Sequence, residues 1–295
     1  MTFTGLLILL AASSISSLSR SLSRTPPLPP LPTNANVLSS SPLIFTINNV
    51  LSKNQCQCLI DLADSDSRMA KSNLPLATLS INKLLPPLLL LSPAWGVPTF
   101  LKTNSIEQVV PVVLAALALS LSLAFALIYF LNNSSAAAGL RTSSSIAFNE
   151  IADTPTITPI VNILEQTLGI PSSQFESPVV TKYSPGACFK PHHDASMSRG
   201  NEWSELGGQR IATAILYLRD LDSGSTKFSK LNISVPCESG KLLVFFPSDE
   251  NKQCDERLLH EGTMVENDEE KWIMQIFVRE KEVPHPLGLP DYLSL

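Results

Sequence analysis

The stretch from Val109 to Leu131 carries no charge and is almost wholly apolar, and it limits how the rest of the chain can be arranged. A helix of that length spans the hydrocarbon layer of a bilayer. A core helix in a water-soluble domain normally keeps a polar face, whereas this stretch offers only Ser120, Ser122 and Tyr129. Pro111 falls in the first turn, where a helix tolerates proline. The stretch reads as a membrane segment, with a buried helix or an artefact of the gene model as the alternatives. Upstream, Leu84–Leu101 is also apolar but is broken by Pro86, Pro87, Pro93 and Pro98. A single crossing would leave the segments before and after this block on opposite sides of the membrane. Two arms turning at Lys102–Gln108 would bring the chain back to the side it left, with a broken or re-entrant first arm. We expect residues 74–138 to be an insertion that meets a membrane through residues 84–131, with the transmembrane segment at 109–131.

The composition of the whole chain is that of a folded protein. Charged residues make up 16% and mean hydropathy is +0.17, too apolar for disorder. Net charge is −5 and the basic residues form no run, so no nucleic-acid partner is expected. The apolar run Gly5–Ala12 precedes Ser-rich sequence and resembles a secretory signal, although no basic residue precedes it. There is no acidic residue before Asp61, and with Arg20 and Arg24 this also fits an organelle transit peptide. The early position of the apolar run favours the secretory route, hence the membrane or lumen of the endoplasmic reticulum. On that route Asn133-Ser-Ser and Asn232-Ile-Ser are glycosylation acceptors. Thr25–Pro32 (TPPLPPLP) predicts an extended linker that continues through Ser39–Ser41, so residues 1–42 read as a targeting segment plus linker. The five cysteines fit no zinc spacing. Cys237 and Cys254 are either a pair in an oxidising compartment or small buried residues.

Elsewhere the sequence predicts a mainly β fold with flanking helices. Leu43–Val50 has the β-branched content of a strand. Ser52 fits an N-cap for a helix from Lys53 to about Ala70, with Cys56, Leu59, Ile60 and Ala63 on one face. Residues 43–73 form the first part of the main domain, which resumes at 139–283; residues 284–295 read as a tail. Thr158 and Pro159 fit the start of a second helix ending at Leu168. Short apolar runs follow at Val179–Tyr183, Arg210–Leu218, Lys241–Phe246 and Trp272–Arg279. Turn signals separate them at Ser184-Pro-Gly, Gly207-Gly208, Asp222-Ser-Gly and Glu238-Ser-Gly. Many short strands so punctuated indicate an antiparallel sandwich or jelly roll.

His192-His193-Asp194 is the informative cluster. On extended backbone, residues two apart point to the same face, so His192 and Asp194 can address one ion while His193 turns away. A third ligand must come from elsewhere. His260 lies in an acidic connection ahead of the last strand, and His285 lies in a Pro-rich tail that suits a ligand poorly. Two imidazoles and a carboxylate leave coordination positions open, as non-haem Fe(II) requires. Structural zinc would rather close its four positions. Lys271 opens the final strand and shares a face with Ile273, Gln275 and Phe277. A lysine on an inward face needs an anionic partner, which a dicarboxylic co-substrate provides. A solvated lysine beside Glu269 and Glu270 is the plainer alternative. His-x-Asp alone arises often by chance.

The ordered set is more specific. VTKYSPGACFKPHHDAS, GGQRIATAILYLRDLDSGSTKF, SGKLLVFFP and LLHEGTMVENDEEKW, in that order over residues 179–279, resemble the prolyl 4-hydroxylase catalytic domain of the 2-oxoglutarate/Fe(II) dioxygenase superfamily. IFTINNVLSKNQCQCLIDLA and LRTSSSIAF, at Leu140–Phe148, resemble earlier parts of that domain. The resemblance implies a double-stranded β-helix whose mouth holds iron through His192, Asp194 and His260. It implies Lys271 as the residue that pairs with the co-substrate, one position later than the family's usual spacing from the distal histidine. Tyr183 and Thr226 fall on pocket residues, although the turn before Thr226 reads Ser223-Gly-Ser rather than beginning with Gly-Gly. The implied activity is hydroxylation of peptidyl proline at C4 with O2 and 2-oxoglutarate, releasing succinate and CO2, with L-ascorbate as reductant. Other readings are a 2-oxoglutarate oxygenase for lysyl or small-molecule substrates, or a membrane-anchored binding protein with a degenerate site.

Overall fold

The computed structural model describes residues 29–72, 97–103, 105–133, 142–197 and 205–289. Contacts divide the chain into residues 73–141 and the rest.

Among the described residues of the larger unit, twelve strands form two antiparallel sheets. The strands are β1 (Ala35–Ser40), β2 (Leu43–Ile47), β3 (Ala70–Lys71), β4 (Ser144–Ala147), β5 (Val179–Tyr183), β6 (Phe189–His192), β7 (Arg210–Tyr217), β8 (Leu221–Phe228), β9 (Ile233–Cys237), β10 (Leu242–Phe245), β11 (His260–Gly262) and β12 (Lys271–Arg279). The large sheet runs β1-β2-β10-β7-β12-β5-β4-β3 and the small one β6-β11-β8-β9. This is the two-sheet jelly-roll arrangement expected.

The large sheet is covered on both faces, so its central strands read as continuous apolar runs and not as alternating ones. In β10, Leu242 and Val244 face the core beneath the helices, while Leu243 and Phe245 face the small sheet. Trp272, Met274, Ile276 and Val278 of β12 join the helical side. Two helices cover it. Helix α1 (Lys53–Ser65) starts at Ser52, whose hydroxyl accepts from Gln55 N–H while Gln55 Oε1 accepts from Ser52 N–H, a reciprocal capping box. It buries Cys56, Leu59, Ile60 and Ala63. It stops short of Ala70 because Asp66 turns into an extended conformation and binds Arg68. The second covering helix, α4, spans Thr154–Leu168. It begins one turn earlier than expected: Asp153 is the N-cap, Pro155 occupies the first turn and Pro159 lies inside. Pro155 supplies the helix-starting geometry that the sequence reading had assigned to Pro159.

Other boundaries also move. Ala35–Ser40 pairs with β2 as an edge strand, so the expected linker ends before residue 42. The Asp222-Ser-Gly turn signal lies inside β8, where Gly224 takes φ +68° at an irregularity in the β8–β9 register. The tail is anchored: Pro286–Gly288 forms a 3-10 turn, Leu287 and Leu289 are buried, and Leu287 N–H donates to Phe175 O. Cys237 and Cys254 are both free thiols, and Cys237 Sγ–H donates to Gly224 O.

The smaller unit contains α2 (Val97–Thr103) and α3 (Ile106–Asn133). Ile106–Leu123 has mean hydropathy 2.0 and none of it is buried. Most of the expected first arm, residues 84–96, lies outside the described residues. Helix α3 already includes Ile106–Gln108, which the sequence placed in a turn.

Candidate metal centre

The small sheet brings the distant histidine to its partner. His260 opens β11, which is too short to stand out in an acidic connection, and it pairs directly across from His192 at the end of β6. Their rings are 4.3 Å apart between centroids. Asp194 sits in the bend just after β6. Its Oδ1 is 3.6 Å from His192 Nε2 and its Oδ2 is 3.6 Å from His260 Nε2. One ligand atom from each of the three residues lies within 4.8 Å of the others.

Hydrogen bonds orient the set. His192 Nδ1 is 2.8 Å from Lys190 O, and His260 Nδ1 is 3.0 Å from Leu258 O. A carbonyl oxygen only accepts, so each Nδ1 carries the proton in these bonds. A neutral ring then presents the Nε2 lone pair to the site, as metal ligation requires. Asp194 Oδ2 accepts from Thr213 Oγ–H at 2.9 Å. Burial opposes ionisation of Asp194, but His260 and His192 in their protonated forms, together with Arg210, outweigh it and hold the carboxyl below its ordinary pKa. Phe189 stacks on His192 at 3.6 Å, and Phe245 meets His260 edge-on at 4.8 Å.

These residues open onto a cavity of about 30 Å3 that also touches Tyr183, Thr226 and Gly262. Lys271, Ile273, Gln275 and Phe277 line one wall together, the face expected of β12. Lys271 is 2% exposed and pairs across from Tyr183, with Nζ 5.3 Å from the Tyr183 ring centre. The loop before β12 places Asn267 at φ +55°. Gly262 borders the same wall, and a Cβ there would lie 3.5 Å from Lys271 Nζ, an ordinary contact. Thr226 Oγ1 accepts from Tyr217 Oη–H at 2.7 Å, which leaves its own hydrogen for another acceptor. Burial pushes the Tyr217 phenol well above its ordinary pKa, so it remains a donor.

The donor set fits a divalent first-row ion. A buried cation beside a hydroxyl donor and a side-chain-free glycine fits a small dicarboxylate. The cavity holds about one water, so a dicarboxylate requires the lining side chains to spread. Thr213, Tyr217, Phe189 and Gly262 were missed in the sequence. Thr213 and Tyr217 left one trace, two hydroxyls on one face of the otherwise apolar run RIATAILY.

Residues 178–279 match the family model described as the 2OG-Fe(II) oxygenase superfamily. A mimivirus protein (Acanthamoeba polyphaga mimivirus) named "Putative prolyl 4-hydroxylase" is 32% identical over 133 residues, covering 43% of this chain and 54% of that protein. Prolyl 4-hydroxylase 1 of Arabidopsis thaliana is 29% identical over 160 residues, covering 48% and 54%. The chain thus spans about half the length of the curated relatives it matches. A solved viral collagen prolyl hydroxylase from Paramecium Bursaria Chlorella virus-1, in complex with 2OG, aligns at TM-score 0.48 with 18% identity, over 80% of this chain and 94% of that one. Residues 178–279 are thus similar to 2OG-Fe(II) oxygenase domains, and the curated relatives that align with this part of the chain carry prolyl 4-hydroxylase names.

Proposed function

We propose that the protein hydroxylates peptidyl proline at C4, using Fe(II), O2 and 2-oxoglutarate and releasing succinate and CO2. The observation that carries this reading is the convergence of His192, Asp194 and His260 on a cavity whose far wall holds buried Lys271. In this reading His192 Nε2, His260 Nε2 and an Asp194 oxygen hold the iron. Lys271 pairs with the distal carboxylate of 2-oxoglutarate, and the Thr226 hydroxyl donates to that anion. Tyr183, Ile273 and Phe277 exclude water. Bound iron and co-substrate supply the oxidising chemistry, with ascorbate as reductant; the chain supplies orientation and a low-dielectric pocket. The test is succinate release with a proline-peptide panel. Release should require iron and peptide and should be lost in His192→Ala. Turnover confined to lysyl or small-molecule substrates, or tight peptide binding with no succinate, would overturn the reading.

We also propose that residues 73–141 anchor the chain in a membrane, of the endoplasmic reticulum if the N-terminus directs secretion. The exposed apolar length of α3 supports this. A chain with residues 73–141 replaced by a short Gly-Ser linker should leave the membrane fraction; one that still sediments with membranes would overturn the proposal.

A further inference from the structure

A groove of about 610 Å3 lies between the β1–β2 hairpin and the loop from Ser248 to Arg257. Leu31, Val37, Pro42 and Leu43 give it an apolar wall. The opposite wall is acidic. Asp255 is neutralised by Arg257 at 2.6 Å, which leaves Asp249 and Glu250 to set the sign of the groove. Asp249 Oδ1 also accepts from Gln253 N–H within the loop, while Glu250 is exposed at the rim. Ser248 lines the groove, is 4% exposed, and its Oγ has no hydrogen-bond partner. A hydroxyl withdrawn from water without a partner costs stability, and the groove is where a partner would sit.

The loop that forms the acidic wall leads into the metal site: it runs on to Leu258, whose carbonyl holds His260 Nδ1.

We propose that this groove docks the flank of the peptide substrate: an extended, proline-rich segment carrying lysine or arginine, beside the proline that enters the iron site. The inference rests on the proline-hydroxylation reading. Pyrrolidine rings suit the apolar wall. A polyproline II backbone keeps its carbonyls unpaired, so one can accept from Ser248 Oγ–H. A basic side chain meets Glu250 and Asp249. A metal ion is a poorer occupant, because Asp255 is committed to Arg257 and Asp249 to the loop backbone.

The test compares the full chain's affinity for labelled Pro-Pro-Lys and Pro-Pro-Gln repeat peptides by fluorescence anisotropy, with succinate release measured in parallel. Wild type should prefer the lysine peptide. Glu250→Lys should cut that preference about five- to tenfold and flatten its salt dependence. Ser248→Ala should weaken both peptides about threefold without lowering the melting temperature, since it removes an unpartnered buried hydroxyl. Affinities that both variants leave at the wild-type level would overturn the groove assignment. Variant-sensitive binding without succinate would keep the groove and sink the activity; succinate with variant-insensitive binding would do the reverse.

Discussion

His192 and His260 have their Nδ1 atoms tied to carbonyls two residues upstream, Lys190 and Leu258, so backbone fixes both rings. Asp194 has no such tether for Oδ2 and relies on the Thr213 hydroxyl. Its geometry is therefore the part of the site that one side chain can loosen. Thr213→Val keeps the shape and removes the donor. Fe(II) affinity, measured by titration, should fall about tenfold. An unchanged affinity would show that Thr213 does not position the carboxylate. At this scale the sequence was informative where spacing is local. His192 and Asp194 are two apart, and Lys271 opens an alternating strand. Thr213 reaches Asp194 from a strand 19 residues further on, a distance that no local pattern encodes.

Between elements, Glu176 ties the segment before β5 to β7 and β12. It bonds Arg210 through two contacts of 2.8 Å and forms an ion pair with Arg279. Arg210 in turn approaches Asp194 O at 3.5 Å. Burial opposes ionisation of Glu176, but the two guanidiniums prevail and hold its pKa below the ordinary 4.5. The stability it contributes is therefore complete above about pH 4.5 and drains as pH falls through the lower folded value. Glu176→Gln should cost about 2 kcal/mol near neutral pH, and the gap to wild type should narrow below pH ~4. Parallel urea-stability curves across that range would refute the role. Elements buried on both faces, such as β10 and β12, were legible because their apolar runs are continuous. β1 was not, since an edge strand half in water carries a polar sequence, NANVLSS. β11 was not, since three residues show no period and its identity as a strand comes from pairing with β6 and β8.

In the whole molecule, the larger unit closes on itself across the insertion. β3 pairs with β4, Ser72 N–H donates to Ser143 O at 2.8 Å, and their hydroxyls meet at 2.8 Å. The Gly-Ser-linked chain lacking residues 73–141 should therefore unfold in one transition and bind Fe(II) as the full chain does. Loss of iron binding in that variant would show that the block supports the site. The sequence located the block by composition, but not this seam, because a two-residue strand leaves no trace in hydropathy. Such a seam is a socket about one strand spacing wide, roughly 4.8 Å. A segment whose ends fit that width should be exchangeable there, and a transcript lacking it should encode a chain with the same iron site. If the activity and the anchoring proposed above hold, where the protein is delivered and what it oxidises become separable traits, free to evolve at different rates within one gene.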